Sequence, residues 1–431
     1  MYKIKHLYKI VAATCAAFLL LGNLAPAIAV INVTEKNLTT SNNEKAYWPE
    51  ISGNYVVYSD SAAGPSTVYL YDIAAETTTE IGRATGSNEN PAIDGDRVVY
   101  SSYDGEAYSI RMYTISTHQD IEITPVTHDS SRPAISGDHI VYRNGPDPRR
   151  GNNIYLIDLN DVALTPLQIS DAYADNFRPE IDGNFVVWHA DNGSDNNVML
   201  YDIQESQESE IANTPDDEER PDVSGDYVVY HLNAGNDGVC LYKISDHKTS
   251  LIVQPSYSYT PRIQGNFVVY EGGLTDGAQK VILRNLTTGV ETTIAEPGDF
   301  LDIPVIDGRH VAWVSNGGDI MLDTLSSPPV FAALPGSNQT INLTPGQIVT
   351  ANPYTIQVHP TSDFGIDRVE FYIDGVLIGT STTPDANGVY SMNWDTSLYH
   401  STVRVIAYST TGESAVLADV TVQTQLPYTG R

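Results

Sequence analysis

The chain has 431 residues, 41% of them hydrophobic, which is long enough for one large β domain with a full core and a second, smaller one. Acids outnumber bases 54 to 23, giving a net charge of −31. That balance argues against nucleic acid and anionic lipid as partners, because phosphate binding needs clustered Lys and Arg. Two cysteines are too few for a disulfide framework.

Residues 1–29 read as a secretory signal. Lys3, Lys5 and Lys9 precede an apolar run from Val11 to Leu21, and Ala27-Ile28-Ala29 supplies a small-residue cleavage site. The run is too short for a membrane span, so the mature chain is expected to have none. Cys15 lies inside it, followed by Phe18-Leu19-Leu20-Leu21, and does not read as a lipoprotein cysteine. Cleavage after Ala29 removes three lysines and no acids, taking the charge to −34. Only Cys240 then remains. It holds the repeat slot filled elsewhere by Tyr69, Tyr155 and Met199, and reads as a packing residue.

From residue 48 onward one unit is written seven times. Its clearest copy is Arg178-Pro179-Glu180-Ile181-Asp182-Gly183-Asn184-Phe185-Val186-Val187-Trp188. The repeated prolines, Pro49, Pro91, Pro133, Pro179, Pro221, Pro261 and Pro304, recur every 40 to 46 residues, the period of propeller blades. Within the unit, Pro179-Glu180-Ile181 predicts a short first strand whose proline costs no ladder bond, and Asp182-Gly183-Asn184 a tight turn. Phe185–Trp188 is almost continuously apolar, as a strand buried on both faces should be. Val198–Ile203 predicts a third strand, and the more polar Ser209–Ala212 an outer edge. Four strands per unit make a blade. The seventh unit runs from Ile320–Leu325 straight into Ser326-Ser327-Pro328-Pro329 and lacks a fourth strand, while a strand-like ribbon near 31–40 precedes the first unit. The economical reading is a seven-bladed β-propeller over 30–325, with that ribbon completing the last blade and removing two open edges.

The pattern Pro-x-Ile-Ser/Asp-Gly-Asp/Asn-x-Val-Val-Tyr, followed by Val68-Tyr69-Leu70-Tyr71-Asp72-Ile73, resembles the TolB-type repeat of secreted propellers. It departs from that family in lacking a second Pro before the Asp-Gly turn and in blade number, so the resemblance is to the superfamily. It implies a rigid disc that binds protein or peptide partners at the mouth of its central channel. The same fold also carries enzymes.

The innermost strands would line the channel. Before each repeated Pro stand Trp48, Asn90, Arg132, Arg178, Arg220, Thr260 and Ile303; after it stand Glu50, Ala92, Ala134, Glu180, Asp222, Arg262 and Val305. A strand period of two places both positions on one face. Arg132, Arg178, Arg220 and Arg262 thus form an arginine arc suited to gripping a carboxylate. The alternative is that Arg178, Glu180, Arg220 and Asp222 pair around the ring and stiffen it. Arg132, beside Ala134, has no acid on its own strand.

His189 and His231 both follow a second-strand aromatic in neighbouring units. The equivalent positions hold Ser59, Ser101, Arg143, Glu271 and Val314, too few ligands for a metal centre. Asp191 and Asp195, within Asp191–Asn196, match no complete calcium loop and read as a hairpin tip. No catalytic motif, metal or cofactor is assigned.

Ser326-Ser327-Pro328-Pro329 opens a stiff linker over 326–335. Residues 336–425 predict strands at Tyr354–His359, Arg368–Ile373, Val376–Thr380, Tyr390–Trp394, Thr402–Ser409 and Ala415–Gln423, with a two-residue hairpin turn at Asp374-Gly375. That spacing describes an immunoglobulin-like β-sandwich, and Val369–Gly375 with Tyr390–Thr396 resembles the Ig-like spacer modules of bacterial surface proteins. The closing Leu426-Pro427-Tyr428-Thr429-Gly430 resembles the Leu-Pro-x-Thr-Gly motif that sortases cleave to join proteins to the cell wall. The hydrophobic span and basic tail that usually follow are not in this sequence, and it reads as a truncated or processed anchor signal. The expectation is an all-β, exported cell-surface protein that binds a protein, peptide or glycan rather than an enzyme. A secreted polysaccharide or peptide hydrolase or lyase is the rival, and a structural envelope component the third reading.

Overall fold

A computed structural model describes residues 31–424, apart from 40–45, 63, 84, 125–128, 146–150, 171–174, 234–236, 254–257, 274–278, 296–301, 316 and 398–400. Residues 1–29, where a secretory signal is expected, and Leu426–Gly430 lie outside the described residues. Every regular element among the described residues is a strand. Two units divide the chain, one over Ile31–Ser326 and one beginning at Ser327.

The larger unit contains seven four-stranded antiparallel sheets, a propeller-like arrangement. Their innermost strands are Ala46–Ser52, Ser87–Asp94, Ser131–Ser136, Asp175–Asp182, Asp217–Ser224, Ser258–Gln264 and Asp302–Asp307. Valine pairs fill five of the seven second strands, with Ile140-Val141 and Val311-Ala312 in the other two, and Val56, Val57, Val98, Val99, Val186 and Val187 are 0% exposed because each sheet is covered on both faces. Thr77–Glu80, an outer strand, is exposed along its whole length. Neighbouring sheets share apolar clusters, and the last sheet packs on the first: Ile303, Val305, Ala312, Ile320 and Leu322 meet Ala46, Ile51, Val56 and Tyr58. The last sheet takes its fourth strand from Asn32–Asn37, antiparallel to Ile320–Ser326 with Asn32 opposite Ser326 and Asn37 opposite Met321.

The Ser/Asp-Gly pair of each unit does more than turn the chain. The turn glycines sit at φ 54–56°, left-handed backbone that a Cβ disfavours. Their N–H groups donate to the residue before the glycine of the preceding sheet: Gly95 to Ser52 Oγ (3.0 Å), Gly137 to Asp94 Oδ2 (2.6 Å) and Gly183 to Ser136 Oγ (3.0 Å). The series continues with Gly225 to Asp182 Oδ2 (2.7 Å), Gly265 to Ser224 Oγ (3.0 Å) and Gly308 to Gln264 Oε1 (3.1 Å). Gly53 donates to Asp307 Oδ2, which carries the chain of bonds from the last sheet back to the first.

The smaller unit is a sandwich of a three-stranded sheet (Val330–Ala332, Tyr354–Thr361, Tyr390–Trp394) and a five-stranded one (Ile348–Val349, Ser414–Thr424, Ser401–Ser409, Ile366–Ile373, Val376–Ser381). Ile356, Val358, Val369, Phe371, Val403, Val405 and Trp394 fill the space between them. Asp374 (φ 49°) and Gly375 (φ 81°) make the left-handed hairpin turn. The connection before this unit is shorter than the 326–335 expected. Val330–Ala332 already pairs with residues 359–361, and the carbonyl of buried Ser327 accepts from Ser362 Oγ at 3.0 Å. Two prolines look like a spacer in sequence, yet here they lead directly into an edge strand.

Candidate functional site

The seven residues before the repeated prolines share one unusual backbone. Trp48, Asn90, Arg132, Arg178, Arg220, Thr260 and Ile303 all have φ between 43° and 54°. At each, the pairing with the second strand slips by one residue, as between Ser131 and Ala134 or Phe177 and Glu180. Each innermost strand is therefore longer than the Pro-x-Ile run suggested and carries a bulge at its X-Pro step, where proline's missing N–H is harmless. Left-handed backbone is costly at a β-branched residue such as Thr260 or Ile303, on the order of 1–3 kcal/mol. The preceding sheet offsets part of that cost. Arg132 N–H donates to Ser101 Oγ (3.0 Å), and Ile303 N–H to Glu271 Oε1 (3.1 Å). Those acceptors occupy the position after the second-strand aromatic, the one held by His189 and His231. At Ser101 and Glu271 that position braces the next sheet's bulge, whereas Ser59 Oγ and both ring nitrogens of His231 have no hydrogen-bond partner among the described residues.

Both residues flanking each proline line the channel, in two tiers. The bulge, rather than a regular period of two, puts them there. In the upper tier Trp48, Asn90, Arg132, Arg178 and Ile303 surround a cavity of about 60 Å³ whose wall also includes Glu50, Glu180 and Arg262 of the lower tier, and Arg178, Arg220, Thr260 and Arg262 line its neighbour. The Arg132 guanidinium lies 5.5 Å from the Trp48 ring centre, across from the third sheet to the first. Tyr47 meets Trp48 edge-on at 4.7 Å. Among the described residues, no carboxylate lies within 4.0 Å of the Arg132 or Arg220 guanidinium. Burial, and then the neighbouring Arg143, pushes Arg132 below the usual arginine range.

The lower tier is different. Arg262 Nη1 pairs with Glu180 Oε1 at 2.8 Å and its Nη2 approaches Glu50 Oε1 at 3.7 Å, so one guanidinium spans the sixth, fourth and first sheets. Asp222 Oδ2 accepts from Ile263 N–H at 2.7 Å. With the isoleucines beneath, these groups line a cavity of about 140 Å³. Burial opposes the charge on Arg262, but Glu180, Asp222 and Glu50 outweigh it and raise its pKa. Burial also lifts Glu50 and Asp222, against the pull of Arg262, because one arginine cannot neutralise three carboxylates.

The structure thus separates the expected arc. Arg132, Arg178 and Arg220 share the upper tier. Arg262 reaches the same cavities, but its guanidinium is held by Glu180 and Glu50, so it is not an open anion grip. Glu180 pairs with Arg262, not with Arg178, and Asp222 faces Arg262 rather than Arg220. Trp48 and Glu50, absent from the expected site, complete it from the first sheet. The sign was available: Trp48 is the one aromatic at the pre-proline position.

His189 is 8% exposed, stacks on Phe177 at 5.3 Å, and its Nδ1 has no hydrogen-bond partner among the described residues. Burial, then the field of Arg178, Arg220, Arg132 and Arg143, pushes its pKa down to about 3, so the ring is neutral. His231 Nε2 lies 3.6 Å from Asp237 Oδ1, its ring 5.1 Å from Tyr259. Asp191 Oδ1 accepts from Gly193 N–H (2.7 Å) and Asp195 Oδ1 from Asn192 Nδ2 (2.6 Å), a self-bonded hairpin tip. Among the described residues, no three His, Cys, Asp or Glu side chains converge as metal ligands. Cys240 is buried in an apolar cluster with Val228, Tyr230 and Tyr242.

Residues 339–423 match a family described as a bacterial Ig domain. No curated protein matches the chain. Among solved structures, it is similar to an oligogalacturonate lyase in complex with manganese: TM-score 0.54, 12% identity, covering 70% of this chain and 98% of that one. It is similar also to the β-propeller domain of the Trilobed protease from Pyrococcus furiosus, with TM-score 0.51, 10% identity, 67% of this chain and 96% of that one. TolB from Acinetobacter baumannii aligns at TM-score 0.40 and 14% identity, over 64% of this chain and 78% of that one. At these identities the first two likenesses show a propeller fold and nothing of chemistry. The chain is a propeller-like unit followed by a bacterial Ig-like domain.

Proposed function

We propose that the chain is an exported bacterial surface protein whose closed, seven-bladed propeller binds a carboxylate-bearing partner in the upper tier of its channel, with the Ig-like unit as spacer. One observation carries this reading. In a chain of net charge −31, three arginines from consecutive sheets meet in one tier, and no described carboxylate reaches two of them, Arg132 and Arg220. Half-buried guanidinium groups with no carboxylate within 4.0 Å invite a bidentate anion. Seven blades are supported by the seven sheets and the turn-to-turn hydrogen bonds that run from Gly53 back to Asp307. Export is supported by the residue pattern of 1–29, and wall attachment by Leu426–Gly430 with sortase as partner.

Titration calorimetry with a polyuronate and with polyglutamate tests the reading. Arg220→Met is expected to weaken binding at least about tenfold without lowering the melting temperature, the size of one lost charged contact. Unchanged binding, or a loss of stability alone, would favour a purely structural ring. Neutral His189 beneath the arginines is the feature that favours catalysis instead, and release of new chain ends from the polyuronate would establish it.

A further inference from the structure

The upper tier holds one contact that crosses it. Arg132, on the third sheet, and Trp48, on the first, have nearly the same left-handed backbone (φ 53° and 54°) and meet with the guanidinium 5.5 Å from the indole centre. No carboxylate among the described residues lies within 4.0 Å of that guanidinium; burial and the positive neighbours Arg143 and Arg220 work against its charge, and the more distant Glu89 and Glu180 offset only part of that. Tyr47 fixes the indole edge-on, so a broad face is left for whatever Arg132 now covers. The cavity is about 60 Å³. A site that takes one six-membered ring needs about 150 Å³. The cavity as it stands is smaller than that, and the aromatic face on its wall, Trp48, is the one Arg132 now covers.

We propose, resting on the carboxylate reading above, that the tier selects a carboxylate carried on a ring, the ring stacking on Trp48 after Arg132 leaves the indole to join Arg178 and Arg220 on the anion. Asn90 and Ile303 line the same cavity, one offering an amide to ring hydroxyls and the other an apolar wall. A cation–π pair is an exchangeable cover: weaker than a guanidinium–carboxylate fork, and lost at little cost when the fork forms.

The test uses the full chain and three small acids: glucuronate, cyclohexanecarboxylate and acetate. Trp188, Trp313 and Trp394 are 0%, 5% and 3% exposed, so acrylamide quenching of emission reports mainly on half-buried Trp48. Glucuronate, cyclohexanecarboxylate or both should bind about tenfold or more tighter than acetate and shield Trp48; which of them does so separates a sugar acid from a hydrocarbon acid. Trp48→Leu should bring the ring acids down to acetate's affinity. Arg132→Met, which leaves the pre-proline bulge in place, should raise quenching in the absence of any acid. Equal binding of all three acids by the wild type, or unchanged quenching in Arg132→Met, overturns the inference while leaving a carboxylate site intact. Failure of all three acids to bind, or indifference of all three to Arg178→Met, overturns the carboxylate reading on which it rests.

Discussion

Asp323 offers the sharpest test of the forces in the propeller. It lies on Ile320–Ser326, in the repeat slot filled by Tyr71, Tyr113, Tyr201 and Tyr242 in other sheets, and is 0% exposed. Trp313 Nε1–H donates to its Oδ2 at 2.7 Å, while its Oδ1 has no partner among the described residues. Burial raises its pKa from 3.8 to about 7, the Trp313 bond opposing and Glu35 on the paired closing strand adding to the rise. Because the folded pKa lies above the unfolded one, the folded state is favoured by the proton. That advantage is fully present below pH 4, declines as pH rises, and is gone above about pH 7. A shift of about 3 units at ~1.36 kcal/mol each makes the loss at most about 4 kcal/mol. Asp323→Asn keeps an acceptor for Trp313 and removes the titration. Urea unfolding of wild type and variant at matched pH from about 4 to 8 isolates the term, since Glu50 and Asp222 sit elsewhere and cancel in the difference. The variant should gain on the wild type by a few kcal/mol across that range, most steeply between about pH 5 and 7. Parallel curves would mean that water reaches Asp323 and that its burial costs nothing.

Arg262→Met removes the cation from between Glu180, Glu50 and Asp222, and should cost about 3–5 kcal/mol at neutral pH, since it strands carboxylates in the channel. The cost should shrink on acidification, when those acids take up protons; a pH-independent loss would point to packing instead. Asp94→Ala deletes one turn-to-turn acceptor, that of Gly137 N–H, and should lower stability by about 1 kcal/mol in denaturant titration, with no change in the emission of the buried tryptophans. Deleting Asn32–Asn37 leaves Ile320–Ser326 as an open edge; dimers or larger assemblies are expected by light scattering, and a stable monomer would argue that the strand is dispensable. Cys240, buried beside Tyr230, should resist thiol reagents until the propeller unfolds.

The architecture was legible because each sheet repeats its core code. Val-Val before an aromatic, a Ser/Asp-Gly turn and a 40-to-46-residue period are sufficient to read blades from residues. The unit ending at Leu325 without a fourth strand, together with the unassigned ribbon upstream of Ala46, pointed at a shared last sheet, and Asn32–Asn37 does lie on Ile320–Ser326. The bulge was not legible. Sequence places a proline at each strand start, but only geometry shows the residue before it held at φ near 50° and, at Arg132 and Ile303, its amide braced from the preceding sheet. Nor could sequence tell which acid meets which arginine. Glu180 is nearest in sequence to Arg178, yet it pairs with Arg262, two sheets away, because a channel brings opposite walls together that a strand pattern keeps apart.

That division explains where the seven units differ. Ser52, Asp94, Ser136, Asp182, Ser224, Gln264 and Asp307 all accept the same bond from the next turn, so this position tolerates only side chains with an oxygen at the right reach. The valines beneath meet a neighbouring sheet on each face and stay small and apolar. The residues flanking the proline face the lumen, where no copy has to fit the next, and there the units hold Trp, Asn, Arg, Thr and Ile before it and Glu, Ala, Asp, Arg and Val after it. A ring that needed only to stand would have little use for half-buried arginines in that freedom, because each one lacking a carboxylate weakens the fold. Arg132 and Arg220 stand against that cost. Their presence is accounted for if the missing carboxylates arrive with the partner, and an Arg220→Met variant that is more stable than the wild type yet binds anions at least about tenfold more weakly would show both halves of that exchange at once.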